Sequence, residues 1–266
     1  MLTSKSFFEL GNFEHKEVFA EGYVWETLKN LSAYMDDFSY HKLRGEELLY
    51  GQPLPETLVY VDGLLISSQG LKIEYGDAAK GQLAVYQNDK KIDGASVIMA
   101  GVVVGGPEIN LGKGVLVESG AMLKTPIIIG DCTEIRQGAY IRGYCLAGKR
   151  CVIGHTTEVK KTIFLDDAKA GHFAYLGDSI LGNDVNLGAG TKMANLRFTA
   201  GEVSIRTVDG LIATGLRKLG AILADGVQTG CNSVTNPGTL LGKKSMLMPN
   251  TTSNSGYHPP NSLIRE

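Results

Sequence analysis

From Leu111 to Leu165 an apolar residue returns at every sixth position: Leu111, Val117, Leu123, Ile129, Ile135, Ile141, Ala147, Ile153, Val159 and Leu165, with Gly directly after several of them, at 112, 130, 148 and 154. A second register lies two residues ahead of each aliphatic and holds only small or β-branched residues: Ile109, Val115, Ala121, Ile127, Thr133, Ala139, Cys145, Cys151, Thr157 and Ile163. A period of six fits neither a 3.6-residue helical stripe nor one long strand of period 2. It predicts an all-β solenoid, a parallel β-helix of hexapeptide repeats in which each hexad supplies one short strand and one corner.

The frame is clear from Ile109, with Ile92 and Ile98 as earlier candidate starts, and it holds to Leu165. Good hexads resume at Leu181, Leu187 and Met193. The sixteen residues from 165 to 181 do not fit whole hexads, so an irregular loop is expected at 166–180. A second excursion, 198–217, carries two strand-like runs around Asp209–Gly210 and predicts a hairpin. The period returns at Leu223, Thr229, Thr235, Leu241 and Leu247. Residues 96–250 are therefore read as the β-helix domain, and 251–266, with Pro259–Pro260, as a tail over the last coil or loose.

Residues 1–95 follow other rules. Val18, Trp25, Leu28, Leu31, Tyr34, Met35 and Phe38 recur at helical spacing between Glu14 and Phe38, weakened by Gly22. After Pro53 and Pro55, β-like runs at Leu58–Ile66, Leu71–Tyr75 and Gln82–Tyr86 are separated by turn residues. The segment reads as a small α+β cap on the first coil.

Composition adds little to this. Twenty-six basic against 28 acidic residues give no electrostatic reason to expect nucleic acid or an anionic membrane surface. No apolar run approaches membrane-spanning length and no leader-like signal opens the chain, so a reduced cytoplasmic protein is the expectation. The 34 glycines suit a solenoid full of tight corners. Cys132, Cys145, Cys151 and Cys231 form no C-x-x-C pair, and Cys145 and Cys151 sit in the small inward register as packing filler. No metal is expected: zinc needs three convergent His or Cys ligands, and only His155 and His172 of the five histidines fall within the solenoid.

Three hexads make one coil, so residues eighteen apart stack at one strand spacing, ~4.8 Å. Lys124, Arg142 and Lys160 then form one column. Either it is a solvated corner whose side chains splay apart, or it is a phosphate site on rigid strands. His172, in the expected loop just beyond that column, is the candidate general base; the alternative is an exposed histidine without a role. His155 reads as structural or surface, and Asn186 and Asn195 as corner residues.

The run Glu158-Val-Lys160-Lys-Thr, His172-Phe-Ala-Tyr175-Leu-Gly-Asp178, Gly182-Asn-Asp-Val-Asn186-Leu-Gly-Ala-Gly-Thr191 and Asn195 resembles the left-handed β-helix acetyltransferase domain of the bifunctional enzymes that make UDP-N-acetylglucosamine. It looks closest to their glucosamine-1-phosphate N-acetyltransferase half, over roughly residues 100–250. The resemblance implies a homotrimer using acetyl-CoA, with His172 as base for the sugar amine. It implies Arg142 and Lys160 on the sugar phosphate, Tyr175, Asn186 and Asn195 on the substrate, and Ala189 and Cys231 on the coenzyme side. Two departures stand out. Leu196-Arg197-Phe198 follows Asn195 where bacterial members carry Tyr and then Asp-Gly. The first 95 residues are also too few for the nucleotidyltransferase module and lack a G-x-G-T-R signature, so uridylyl transfer is not expected. The alternatives are an acyltransferase for another phosphorylated or nucleotide-linked sugar, or a non-catalytic trimeric assembly protein related to sugar nucleotidyltransferases.

Overall fold

The computed structural model describes residues 2–19, 21–41, 43–45 and 48–265. Its body is a left-handed parallel β-helix of about nine turns with three flat faces. The first face stacks nine rungs in parallel: Ser96–Ile98, Leu116–Val117, Glu134–Ile135, Val152–His155, Lys169–His172, Asn186–Leu187, Gln228–Thr229, Met246–Leu247 and Leu263–Ile264. The second face includes Met122–Lys124 and Tyr140–Arg142, and the third Ile127–Ile129 and Cys145–Ala147. Two longer strands, Glu158–Phe164 and Tyr175–Leu181, bend through the corner and serve both of these faces.

The hexad aliphatics point inward and fill one continuous core, from Ile98 through Leu123, Ile141 and Leu181 to Leu247. Cys145 and Cys151 are buried free thiols. Burial pushes the Cys145 thiol up to about 12 and raises that of Cys151 further, so both are inert packing groups.

The expected loop at 166–180 is instead regular solenoid. Lys169–His172 pairs with Val152–His155, and Tyr175–Leu181 pairs with Glu158–Phe164. The cause is one residue removed from a corner. Between the second and third faces the chain turns through Gly143 and Tyr144 on one coil but through Lys161 alone on the next. Phe164 therefore takes the inward place above Ala147, and Leu165 joins an outer apolar cluster. From Ala147 the coils run 17 residues, Ala147 to Phe164 to Leu181.

Two further boundaries move. The expected tail continues the solenoid: Thr252–Ser253, Gly256–His258 and Leu263–Ile264 each add a rung. The cap divides into two parts. Leu58–Val61 pairs antiparallel with both Leu64–Ser67 and the first rung, while Leu54, Leu58 and Leu65 close the open end of the core. Residues 4–19 and 21–38 lie along the third face, with Phe7, Phe8, Trp25, Leu28, Leu31 and Met35 on the outward column Ile128, Leu146, Ile163, Ile180, Ile222 and Leu240. The helix spans only Glu26–Asp36, because Gly22 at φ 117 ends the helical path before it. The hairpin, Ser204–Thr207 against Gly210–Ala213, covers the same face farther along, through Val203, Ile205 and Leu219.

Candidate functional site

The named residues gather at the two edges of the second face. Along the edge shared with the first face, the amides of Phe173, Gly190, Asn232 and Asn250 donate to the carbonyls of His155, His172, Ala189 and Cys231. These bonds build one column, His155, His172, Ala189 and Cys231, at one residue per rung. His172 ends a first-face strand in register with His155, and its imidazole is exposed with no hydrogen-bond partner among the described residues. The His155 Nδ1 lies 2.9 Å from the Gln137 carbonyl. A carbonyl only accepts, so Nδ1 is the donor in this contact.

Along the opposite edge Lys124 pairs in register with Arg142, and the same register brings Lys160 and then Gly177 above them. The column read at a period of eighteen is real up to Lys160. Its cations do not face one another unscreened. Arg142 donates to Glu158 Oε1 at 2.7 Å, which raises the guanidinium pKa, and Lys160 donates to Asp178 Oδ2 at 3.4 Å. Lys124 rests over the Tyr140 ring, 5.3 Å from its centroid.

Asp178 is the hub. Its buried carboxylate also accepts from Asn195 Nδ2 at 2.5 Å, and the Tyr175 hydroxyl donates to Asn195 Oδ1 at 3.5 Å. Burial, then Glu158 and Asp178, raise the Tyr175 phenol pKa, so it is a neutral donor. The knot requires a bare backbone at 177: a Cβ there would lie 2.5 Å from Asn195 Nδ2 and 2.8 Å from the Tyr175 oxygen. One lysine donor goes to Asp178, leaving ammonium protons for a further acceptor.

The structure thus brings Arg142, Lys160, Tyr175 and Asn195 together, and separately His172, Ala189 and Cys231. Asn186 is on the outer side of the first face, exposed and in register with Lys169 and Gln228. Glu158 and Asp178, which carry the counter-charges, had no role in the sequence reading. Their signal was there: Glu158 lies two residues before Lys160, and Asp178 lies eighteen after it. A cleft of about 570 Å³ between the cap and the first face, lined in part by Tyr75, Met99, Leu116 and Arg136, is a separate feature in which Glu134 is satisfied by Arg136 and the Ala78 amide.

Residues 123–248 match the family model described as the GMPPB C-terminal domain. The chain is 37% identical over 163 residues to a bifunctional sugar-1-phosphate nucleotidylyltransferase/acetyltransferase of Sulfurisphaera tokodaii, a match covering 54% of this chain and 40% of that protein. It is 36% identical over 109 residues to the bifunctional protein GlmU of Methanococcus vannielii, covering 41% of this chain and 26% of the relative. To the GlmU of Thermosynechococcus vestitus it is 33% identical over 136 residues, covering 51% and 26%. The chain therefore spans less than half the length of these relatives. The parallel β-helix and the matched segment agree: over about half of its length the chain is similar to the GMPPB C-terminal domain and to the GlmU-type bifunctional proteins.

Proposed function

We propose that the protein transfers an acetyl group from acetyl-CoA to the amine of an amino-sugar phosphate such as glucosamine-1-phosphate, with His172 as general base. The observation that supports this most directly is the second face itself. An exposed imidazole stands at one edge and the neighbouring cations Arg142 and Lys160 at the other. Tyr175 lies between them as a neutral donor. The neutral amine attacks the thioester carbonyl carbon; the C–N bond forms, the C–S bond breaks and the thiolate leaves. His172 takes the proton from the attacking nitrogen and returns it to sulfur. The exposed Arg142–Glu158 pair is worth little and exchanges readily for a phosphate.

A homotrimer completes this reading. The third face is covered by the chain's own residues 4–19 and 21–38 and hairpin, whereas the outward residues of the first and second faces at the His172 level are uncovered. A cyclic contact of first face on second face would bring Asn186 of one copy toward Tyr175 of the next. Ala189 and Cys231 would flank the arm of the coenzyme, and the protein would act in the cytoplasm without metal. Among the described residues no helix is long and apolar enough to cross a membrane.

Release of CoA thiol on mixing protein, acetyl-CoA and glucosamine-1-phosphate tests the proposal. His172→Ala is expected to lower kcat by about 100-fold at unchanged melting temperature. Undiminished turnover in that variant removes His172 as the base, and wild-type protein that releases no thiol and binds no acetyl-CoA in calorimetry turns the assignment toward a non-catalytic assembly role.

A further inference from the structure

Phe173 is placed where an aromatic side chain is least comfortable. It turns the corner between the first and second faces at φ 52, in the left-handed region. The same turn on other coils is made by Gly138, Thr156, Gly190, Asn232 and Asn250. Glycine and asparagine adopt that conformation more easily than a β-branched or aromatic residue does. Tyr144, an aromatic residue at φ 51 on another corner, has a structural use: its hydroxyl donates to Asp36 and its ring packs on the apolar cluster of the third face. Phe173 has none of this and is 55% exposed.

Its surroundings give the ring a definite position. It meets the His155 ring edge-on, with centroids 5.3 Å apart and planes at 77°, and tilts against His172 at 6.4 Å. His155 is itself fixed by the Gln137 carbonyl. The three rings make a rigid lower rim. The next rung offers almost no side chain, only Ala189 and Gly190, and above it stand Cys231 and Asn232. The Asn232 side-chain oxygen Oδ1 overhangs Gly190, 2.5 Å from where a Cβ would be. The corner beside His172 thus has no side chain beyond a methyl at the next rung, with an aromatic wall below, backbone behind and the Asn232 amide turned down over it from above.

Building on the acyl-transfer reading, we infer that Phe173 is a specificity-determining residue: its ring, held by His155, is the wall against which the thioester-linked acyl group of the donor lies beside His172. An apolar wall meeting an amide roof suits an acyl group joined to an amide-containing arm. A fixed ring on the lower side of that corner limits how many carbons the acyl group has. Backbone strain kept at an exposed aromatic residue beside the candidate base is the pattern expected of a functional position.

The test is Phe173→Asn, a side chain at ease in the left-handed region. Its melting temperature should rise by about 2 °C as strain is released. Its kcat/KM for acetyl-CoA should fall about tenfold, chiefly through KM, and its preference for butyryl-CoA over acetyl-CoA should rise at least about fivefold. Phe173→Leu keeps the apolar wall and should hold the acetyl-CoA value within about twofold. His155→Ala should reproduce the shift in acyl preference with a smaller loss of rate. An asparagine variant with unchanged donor kinetics and acyl preference overturns the inference while leaving acyl transfer standing. Wild-type protein that turns over no acyl-CoA at all would instead overturn the functional reading, and the inference with it.

Discussion

The second and third faces are built alike, with two long strands common to both and small or aliphatic residues turned inward on each, and they differ most on the outside. Along the third face the outward column is Ile128, Leu146, Ile163, Ile180 and Ile222, buried beneath residues 4–19 and 21–38 and the hairpin. Along the second face the outward column is Met122, Tyr140, Glu158, Tyr175 and Lys192, with Lys124, Arg142 and Lys160 beside it. The inward residues decide that a coil forms. The outward residues decide whether a face is consumed by the chain's own packing or kept for chemistry. Alternation along a strand of three residues is enough to separate the two roles.

The largest expected effect comes from uncovering the apolar face. Trp25 is fully buried over it and stacks on Tyr23 at 4.5 Å. Trp25→Ala should destabilise the protein by about 4 kcal/mol. Because each solenoid rung contacts mainly its neighbours, the loss should appear in urea as an early release of residues 4–38, not as collapse of the rungs. Acetyl transfer should survive below that transition. Loss of activity in step with it would show that the two faces are not independent.

On the polar face the sharper test separates charge balance from ligand binding. Lys160→Met leaves the Asp178 carboxylate buried with Asn195 but without a cation, which should cost about 2 kcal/mol. Adding Asp178→Asn removes the stranded charge, and stability should return to within about 0.5 kcal/mol of wild type. The KM for the phosphorylated acceptor should stay raised about tenfold in both variants, because neither restores the ammonium. A double variant that regains acceptor affinity would mean that Lys160 serves only Asp178.

How much of this was legible depended on period. Inward positions repeat, so Leu111 through Val159 could be assigned from the chain alone, and the Lys124–Arg142–Lys160 column followed from three hexads per coil. A one-residue shortening does not repeat. With Lys161 doing alone what Gly143 and Tyr144 do together, the frame slid from Leu165 to Phe164 and produced an apparent loop around His172 where a regular rung exists. The covering of the third face was hidden for another reason: Ile128, Leu146 and Ile163 are apolar next to apolar inward neighbours, so those strands read as continuous aliphatic runs without a stated side. The resemblance pointed to His172, Arg142, Lys160, Tyr175 and Asn195 but assigned no role to Asp178, which ties three of them together.

The smallest expected effect is a pH dependence seated on the covered face. His15 is buried among Phe13, Tyr34 and Phe38, with Nδ1 2.8 Å from the Tyr34 hydroxyl. Burial lowers its pKa below the ordinary 6.5; Lys149 acts in the same direction, and Glu14, Glu17 and Asp166 oppose it. The folded state therefore holds His15 neutral at pH values where the unfolded chain would protonate it. That contribution to stability is complete above about pH 6.5 and is lost as pH falls from there toward the lowered folded value. Acidification from pH 7.5 to 5.5 should lower the wild-type melting temperature, and His15→Gln, which keeps a hydrogen-bonding group toward Tyr34 but does not titrate, should show a shallower decline. Residues 4–38 should be the part released, detected as proteolysis near the N-terminus while the second face still binds acetyl-CoA. Equal slopes in the two proteins would place the acid sensitivity elsewhere, and the covered face would then differ from the polar one in packing alone.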